Sequence, residues 1–302
     1  MSSTDQKREA LQLELERFIE KTDTSQADLA RAMGLSPSRL NQWLSNSYKG
    51  NLEVIDVAVT SFLEKQREKE SRQQLEFPFV ITSIAKKTGE ICRMAHLDKD
   101  IGLVHGAAGL GKTTALKYYA TKNPDTLLIE ADLGFSARTL FQHLHKSLGL
   151  TGRGTIHAMF EDVVEKLRDS GRLIIVDEAE HLPYRALELL RRVHDKAGIG
   201  IVLAGMPRLV ENMRGRNGEY AQLYSRIGVA AGLQPLTDAD TEKIVSAASK
   251  GAAAYASTYH ECSRGNARRL VKLVARSQRV AEIGQRPLSQ KVIRETMNML
   301  IV

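Results

Sequence analysis

The sequence predicts an α/β core with a parallel sheet, preceded by an all-α domain and followed by a helical segment. Residues 1–70 show only helical periodicity. Between residues 71 and 235, four short apolar runs alternate with helical stretches, which predicts parallel strands covered by helices on both faces. After Pro235 the apolar runs stop and four helices follow. The predicted domains are therefore residues 1–70, 71–235 and 236–302.

The first domain contains two short helices joined by a glycine turn. Ser25 can cap a helix that ends at Gly34, where glycine tolerates a left-handed turn. Ser36 can cap the next helix with Pro37 at its first position, where no amide donor is needed. This helix-turn-helix pattern resembles the DNA-binding domains of phage repressors. Its predicted core consists of Ala30, Leu35, Leu40 and Leu44.

The second of these helices carries candidate DNA contacts. Arg39, Asn41 and Gln42 lie towards its front, the part that can enter a major groove. Helix-turn-helix units also serve as protein contacts, so both roles stay open. The single tryptophan, Trp43, is expected in the core rather than against DNA. A third helix is predicted from about Leu52 to Lys69, followed by a linker over residues 70–80.

The remaining elements follow from apolar runs and capping residues. The predicted strands are Ile101–His105, Thr126–Ala131, Arg172–Val176 and Gly200–Gly205. The predicted C-terminal helices are one capped by Thr237, one near Ala253–Cys262, one from Asn266 to about Ile283, and one from Ser289 to the end.

Composition and charge narrow the function classes. No run of eighteen apolar residues is present, so no membrane span is expected, and the charged N-terminus lacks the apolar stretch of a signal peptide. The two cysteines have no disulfide or metal-ligand spacing, and a cytoplasmic location is expected. Residues 264–302 carry nine Lys and Arg against two Glu, a surplus of +7 that equals the net charge of the chain. Such a segment attracts polyanions, usually nucleic acid, unless it is only a solvated helix face.

The strongest motif follows the first predicted strand and opens a helix. It consists of Gly106, Ala107, Ala108, Gly109, Leu110, Gly111, Lys112, Thr113 and Thr114, and it matches G-x-x-x-x-G-K-[ST]. Glycines let the backbone amides turn inward around phosphates, and the helix N-terminus adds its positive dipole end. Lys112 would pair with the β- and γ-phosphates, and Thr113 would bind Mg²⁺. The motif therefore predicts a nucleotide site.

A second motif ends the third predicted strand. Asp177 and Glu178 follow an apolar run, and two adjacent acids there require a cation nearby. Asp177 would hold Mg²⁺ through water, and Glu178 would orient and polarise the attacking water. The two motifs together predict ATP binding and hydrolysis with Mg²⁺.

With both motifs, the strand pattern and the helical tail, the sequence resembles the AAA+ superfamily of P-loop ATPases, in which the C-terminal helices form a lid. It is similar within it to the phage Mu B family, ATP-dependent activators of target DNA in transposition. The likeness covers nearly the whole chain in one order. Besides the two motifs, it rests on the helix-turn-helix, the Tyr48–Gly50 turn, a Phe-Val-x-Thr entry at Phe79–Thr82, and the runs Asp177–Leu182, Gly198–Gly205 and Glu219–Ile227.

The resemblance implies roles for two arginines. Arg226 matches the arginine finger that reaches a neighbouring subunit's nucleotide, and Arg268 matches the sensor-2 arginine of the lid. Each would place a guanidinium beside γ-phosphate oxygens, whereas an arginine on a solvated helix is the alternative for both. One position departs from the family, which usually has a polar residue, often Asn, after the fourth strand. Met206 stands there and donates no hydrogen bond, which predicts slow hydrolysis unless another residue serves.

The resemblance also implies a function. ATP bound between subunits would order a filament on double-stranded DNA, contacted mainly through phosphates and so with little sequence preference. Arg138 and Arg153 are candidate DNA contacts at the filament axis. The filament would present target DNA to a transposase and stimulate strand transfer, and hydrolysis would dissolve it.

The sequence is also compatible with three other functions. A helicase loader would join the same machinery to a replicative helicase. A DNA-binding regulator would read one operator with its helix-turn-helix and use ATP as a switch. A small-molecule kinase would share the P-loop, but the sequence shows no site for a phosphate acceptor. Such a kinase also does not need Arg226 or the helix-turn-helix.

Overall fold

A computed structural model describes residues 3–22, 24–73, 77–215 and 221–300. The chain divides into two compact units, Met1–Glu76 and Phe77–Val302. This division lies close to the first predicted boundary, while the division at 235 stays a prediction. Among the described residues, no helix combines the length and apolar character needed to cross a bilayer.

In its described residues, the first unit forms four helices. They are α1 (Ser3–Thr22), α2 (Gln26–Ala32), α3 (Pro37–Leu44) and α4 (Leu52–Gln73). The side chain of Ser25 accepts a hydrogen bond from the amide of Asp28, and that of Ser36 accepts one from Arg39, as the capping pattern predicted. Gly34 has a φ of +69°, which a residue with a Cβ rarely adopts.

The core of this unit is centred on the two short helices. Ala30, Leu40 and Trp43 are fully buried, and Leu35 and Leu44 pack against them partly buried, so the predicted core is confirmed. The indole nitrogen of Trp43 donates to the carboxylate of Asp56 at 2.8 Å. This bond satisfies the polar atom of an otherwise apolar side chain.

The linker prediction is wrong at both ends of residues 70–80. Helix α4 continues to Gln73, because residues 70–73 contain good helix formers and no breaker. Residues 74–76 lie outside the described part of the chain. Phe77 and Val80 pack against the core of the second unit, and the ring of Phe79 stacks on Tyr118 with centroids 3.8 Å apart. These apolar side chains are partly buried by their contacts, which explains why they do not form a solvated linker.

The second unit alternates strands and helices. Its strands are β1 (Ile101–His105), β2 (Thr126–Glu130), β3 (Leu173–Asp177), β4 (Gly200–Gly205) and β5 (Ile227–Gly232). Its first helices are α5 (Ser83–Leu97), α6 (Lys112–Lys122), α7 (Ala137–Ser147), α8 (Ile156–Leu167), α9 (Tyr184–Ala197), α10 (Arg208–Arg214) and α11 (Ala221–Tyr224), with a 3-10 turn over Ala179–His181. The four predicted strands are confirmed to within a residue.

The strands form one sheet in the order β2-β3-β4-β1-β5, and all neighbours are parallel. Apolar side chains of the central strands alternate between two core clusters, with Leu103 and Val176 in one and Val104 and Ile175 in the other. Helices therefore cover both faces, as predicted. Because β4 lies between β1 and β3, the loops after these three strands meet at one edge.

The fifth strand was not predicted. Its sequence, Ile-Gly-Val-Ala-Ala-Gly, contains mostly small residues with weak strand preference. It lies at the edge of the sheet and pairs only with β1, so its outward side chains need not be large or apolar.

Four α-helices complete the unit after the last strand. They are α12 (Asp238–Ala248), α13 (Ala256–Ser263), α14 (Ala267–Ile283) and α15 (Gln290–Asn298), with a 3-10 turn at Ala253–Tyr255. Thr237 caps α12 in a reciprocal capping box with Asp240. The carboxylate of Asp240 also accepts hydrogen bonds from the amide and hydroxyl of Ser83, which ties α12 to the start of α5.

Candidate nucleotide-binding site

The loop between β1 and α6 has the backbone shape that a phosphate cradle requires. Gly109 and Gly111 have φ values of +78° and +99°, which other residues rarely adopt. Gly111 stands at the N-terminus of α6 and provides no side-chain cap. The first amides of α6 are therefore available for an anion, at the positive end of the helix dipole.

Lys112 is held beneath this loop. Its Nζ donates to the carbonyl oxygens of Gly106 and Ala107 at 2.8 and 2.9 Å. Burial lowers the pKa of Lys112, whereas the carboxylates of Asp177, Glu180 and Glu178 act to raise it. The ammonium group thus faces the acids that follow β3.

Those acids differ in exposure. Asp177 is 2% exposed; its Oδ1 accepts a hydrogen bond from the amide of Glu178 at 2.9 Å, and its Oδ2 has no hydrogen-bond partner in the described part of the chain. A buried carboxylate oxygen without a partner is costly, so this atom suits a cation. Glu178 has a φ of +51°, and about half of its side chain is exposed. It can therefore reach a water molecule while Asp177 stays buried.

A cavity of about 450 Å³ joins these elements. The predicted nucleotide-binding motif contributes six lining residues: Ala108, Gly109, Gly111, Lys112, Thr113 and Thr114. The other lining residues are Asp177, Glu178, Glu180, His181, Gly205, Met206, Arg208, Ala267, Arg268, Val271 and Lys272. Gly106 and Leu110 are buried beneath the loop, and Ala107 is exposed. The structure thus brings Lys112, both acids and Arg268 together around one space.

The C-terminal helices contact the loop directly. Asn266 caps α14, and its Nδ2 donates to the carbonyl of Ala108 at 3.0 Å. The amide of Arg268 donates to the carbonyl of Gly109 at 3.0 Å. Sequence reasoning placed a helix start at Asn266 but did not foresee its contact with the loop, since the capping pattern carries no information on distant partners.

An apolar groove of about 340 Å³ adjoins the cavity. It is lined by Phe77, Pro78, Phe79, Val80, Thr82, Ala85, Leu110, Gly111, Thr114, Ala115, Leu236, Ile244, Ala267 and Val271. Because Gly111, Thr114, Ala267 and Val271 line both spaces, one ligand with a flat apolar part and a charged part can fill them together.

Arg226 lies away from this cavity. It follows α11, its side chain is 54% exposed, and its Nε is 3.7 Å from a carboxylate oxygen of Asp195 on α9. Glu219 and Tyr220 of the same sequence run lie outside the described residues. The structure therefore does not bring Arg226 to the nucleotide site of its own subunit.

The candidate DNA contacts lie in three places. Arg39, Asn41 and Gln42 are exposed on α3 in the first unit. In the second unit, Arg138 is exposed at the start of α7, and Arg153 is exposed in the loop after the end of α7. Arg138 is the second residue of α7, and Arg153 comes six residues after the helix ends at Ser147.

Glu180, His181 and Arg208 line the cavity, although no role was predicted for them from the sequence. Glu180 and His181 belong to the segment at the end of β3, in which a mechanistic role was predicted only for Asp177 and Glu178. Arg208 opens α10 and lies outside every motif. The sequence could have indicated Arg208 only through its position, two residues after Met206.

The comparisons with known proteins agree with this architecture. The AAA domain family model matches residues 95–213. The ADP form of the ORC2 protein of Aeropyrum pernix has a similar fold, with a TM-score of 0.58 and 18% identity over 75% of this chain and 72% of ORC2. The fold and the loop after β1 thus define a P-loop protein with an AAA domain, the class that binds and hydrolyses ATP.

Proteins with similar sequences identify a family within this class of ATP-binding proteins. The Mu-like prophage FluMu DNA transposition protein B of Haemophilus influenzae is 30% identical over 77% of this chain and 83% of that protein. The ATP-dependent target DNA activator B of Escherichia phage Mu is 29% identical over 77% and 76%. The chain belongs to the family of these transposition B proteins, as the sequence resemblance implied.

Proposed function

We propose that this protein uses ATP to assemble on target DNA, delivers that DNA to a transposase and stimulates strand transfer. The observation that carries the proposal is the convergence of Lys112, Asp177, Glu178 and Arg268 on one cavity. The names of the two relatives support a role in transposition, since one is a DNA transposition protein and the other an ATP-dependent target DNA activator.

In this proposal the triphosphate lies along the loop before α6. Lys112 leaves the carbonyl oxygens of Gly106 and Ala107 for the phosphate oxygens, which offer a stronger, charge-assisted hydrogen bond. Arg268 approaches the same phosphates from α14. The adenine base occupies the apolar groove between Phe79 and Ile244.

Mg²⁺ would be held by the hydroxyl of Thr113 and the free Oδ2 of Asp177. When bound, the ion supplies positive charge that offsets the charge of the phosphate oxygens. Glu178 orients and polarises the attacking water, which its half-exposed carboxylate can reach. With Met206 beside this position, hydrolysis is expected to be slow unless another residue supplies a hydrogen-bond donor.

The C-terminal helices act in this proposal as a lid, residues 236–302, which senses the nucleotide. Their contacts to Ala108 and Gly109 involve the carbonyls of the phosphate loop, so a shift of the loop on nucleotide binding reaches α14 directly. Arg226 of one subunit reaches the nucleotide of the next, and ATP thereby orders a filament.

DNA contacts are proposed on three surfaces. Arg138 and Arg153 face the filament axis, and the exposed side chains of α3 in the helix-turn-helix domain, residues 1–70, add further contacts. None of the side chains of Arg39, Asn41 and Gln42 has a hydrogen-bond partner within the described part of the chain, so all three are available. Binding through phosphates predicts weak sequence preference and a strong decrease of affinity with salt.

The test is electron microscopy of the purified protein with random-sequence duplex DNA, with and without ATP and Mg²⁺. Filaments that coat the duplex only with ATP support the proposal. Lys112→Ala should abolish them, while Lys117→Ala, an exposed lysine of the same helix, should not. Particles at one defined sequence would favour an ATP-switched regulator, and binding to a replicative helicase without stimulation of strand transfer would favour a helicase loader.

A further inference from the structure

The position after β4 lacks the polar group that an ATPase of this architecture uses to hold the attacking water or the terminal phosphate. Because β4 lies between β1 and β3, its carboxyl end is between the phosphate loop and Asp177. Met206 occupies this end and lines the cavity. A thioether donates no hydrogen bond. If the site hydrolyses ATP, a donor has to come from another residue of the cavity.

Arg208 is placed to be that donor. It opens α10, two residues after Met206, and lines the same cavity with its side chain half exposed. Its Nη2 lies 3.8 Å from Oε1 of Glu180. A guanidinium carries five N–H donors, so it can hold a phosphate oxygen and a carboxylate at once.

The buried carboxylate of Glu180 lies beside this arginine. The carboxylate side chain is 3% exposed, and its Oε2 has no hydrogen-bond partner in the described part of the chain. It fits only because the last residue of β4 is a glycine: a Cβ on Gly205 would lie 2.1 Å from Oε2. A buried carboxylate is costly without a cation, and the guanidinium of Arg208 lies within ion-pair distance of it.

His181 connects this pair to the water-activating acid. Its Nε2 lies 3.6 Å from Oε2 of Glu178, and both of its ring nitrogens lie 3.5 Å from Nη2 of Arg208. The imidazole is mostly buried, with 16% of its side chain exposed. The four side chains therefore form one continuous row along the cavity wall, from Glu178 through His181 and Arg208 to Glu180.

We infer that Arg208 takes the place of the missing polar residue at Met206, holding the terminal phosphate or the attacking water, and that Glu180 is its positioning residue. This inference rests on the proposed ATP hydrolysis at the same site. It assigns to Arg208 an effect on the hydrolysis step within its own subunit, which distinguishes it from Arg226.

The experiment compares ATP affinity, single-turnover hydrolysis and the affinity for ADP with aluminium fluoride, a mimic of the transferring phosphate. Arg208→Ala should reduce hydrolysis about 100-fold, the usual effect of losing one preorganised donor, with ATP affinity changed far less. Binding of the mimic should weaken in parallel with hydrolysis. Glu180→Gln should show a smaller loss of the same kind, and Arg192→Ala, an exposed arginine of α9, should match the wild type.

A second variant separates the assigned role from a structural one. Met206→Asn restores a polar side chain after β4, so it should recover much of the hydrolysis lost in Arg208→Ala. Arg208→Ala protein that hydrolyses ATP at the wild-type rate, or an Arg208→Ala loss equal in ATP affinity and hydrolysis, would overturn the inference alone. Wild-type protein that binds ATP but does not hydrolyse it, with or without DNA, would overturn the proposed ATPase activity as well.

Discussion

Glu178 combines a left-handed backbone with an exposed carboxylate directly after the last buried residue of β3. Its φ of +51° turns the chain sharply into the 3-10 turn over Ala179–His181. Such a conformation is uncommon for a residue with a side chain and is often found at functional sites. Here it separates two adjacent acids, so that Asp177 stays with the sheet and Glu178 reaches the cavity.

Glu178→Gln should retain ATP binding and assembly on DNA but block disassembly. The amide keeps the size of the side chain and cannot polarise water as a carboxylate does, so hydrolysis should decrease by at least about 100-fold. Filament lifetime after removal of free ATP, followed by light scattering, measures this. A variant that hydrolyses ATP at the normal rate would show that the assigned role of Glu178 is wrong.

Asp240 shows how one buried carboxylate depends on its donors. Burial by itself raises the pKa of this group, but hydrogen bonds from Ser83 and Thr237 outweigh it, and the net pKa is lowered. A lowered pKa in the folded state gives stability that is present above the unfolded pKa. That stability is lost as the pH falls through the folded value, on the acid side of the ordinary value of 3.8.

Asp240→Asn should therefore destabilise the second unit by about 1–3 kcal/mol at neutral pH, because an amide offers one acceptor oxygen where the carboxylate offers two. The difference between wild type and variant should shrink as the pH decreases below about 4. Urea unfolding at a series of pH values measures it. Asp238→Asn, an exposed acid of the same helix, provides the control. An equal difference at pH 7 and at pH 3 would contradict the argument.

At the scale of elements, α2 and α3 depend on a small shared core more than on their own length. Helices of 7 and 8 residues are too short to be stable alone in water. Leu40 and Trp43 bury one side of α3 completely, and the caps at Ser25 and Ser36 satisfy amides at the two helix starts. Their stability is therefore a property of the whole first unit.

Leu40→Ala should lower the stability of the first unit by about 2–5 kcal/mol, the usual cost of a cavity at a buried leucine. The chain has one tryptophan, Trp43, so its fluorescence reports this unit alone. The fluorescence midpoint should decrease while ATP affinity, a property of the second unit, stays unchanged. Glu64→Ala on the exposed side of α4 is the matched control. A parallel loss of ATP affinity would contradict the assignment of ATP binding to the second unit alone.

At the scale of the whole molecule, assembly requires a residue that acts outside its own subunit. Arg226 is half exposed and does not line the nucleotide cavity. Its Nε lies 3.7 Å from a carboxylate oxygen of Asp195, which is too far for a hydrogen bond. A loose surface ion pair of this kind contributes little to stability. Arg226 can therefore be exchanged for another residue without unfolding the subunit.

Arg226→Ala should remain a folded protein that binds ATP and fails to assemble on DNA. Sedimentation with ATP and duplex DNA measures the assembly, and thermal unfolding checks the fold. Asp195→Asn is the control: it removes the carboxylate near Arg226 but keeps the arginine, so assembly should persist. ATP-dependent filaments formed by Arg226→Ala at wild-type concentration would exclude the role of Arg226 between subunits.

The sequence by itself determined the elements whose signals lie in consecutive residues. The cradle of Gly109, Gly111 and Lys112 was predictable because a phosphate loop needs its glycines, its lysine and the following helix in one short stretch. The four apolar strands and the caps at Ser36 and Thr237 were predictable for the same reason. The strand β5 was not, because an edge strand of small residues has neither an apolar run nor a clear alternation.

Only the tertiary structure decided which distant residues meet. Asn266 and Ala108 are 158 positions apart and share a hydrogen bond, and Glu180 reaches Arg208 only because both follow neighbouring strands of the sheet. The close approach of Glu180 also depends on Gly205, whose lack of a Cβ has no visible purpose in the sequence alone. The physical reason is that local patterns specify backbone conformation, whereas the order of strands specifies which side chains become neighbours.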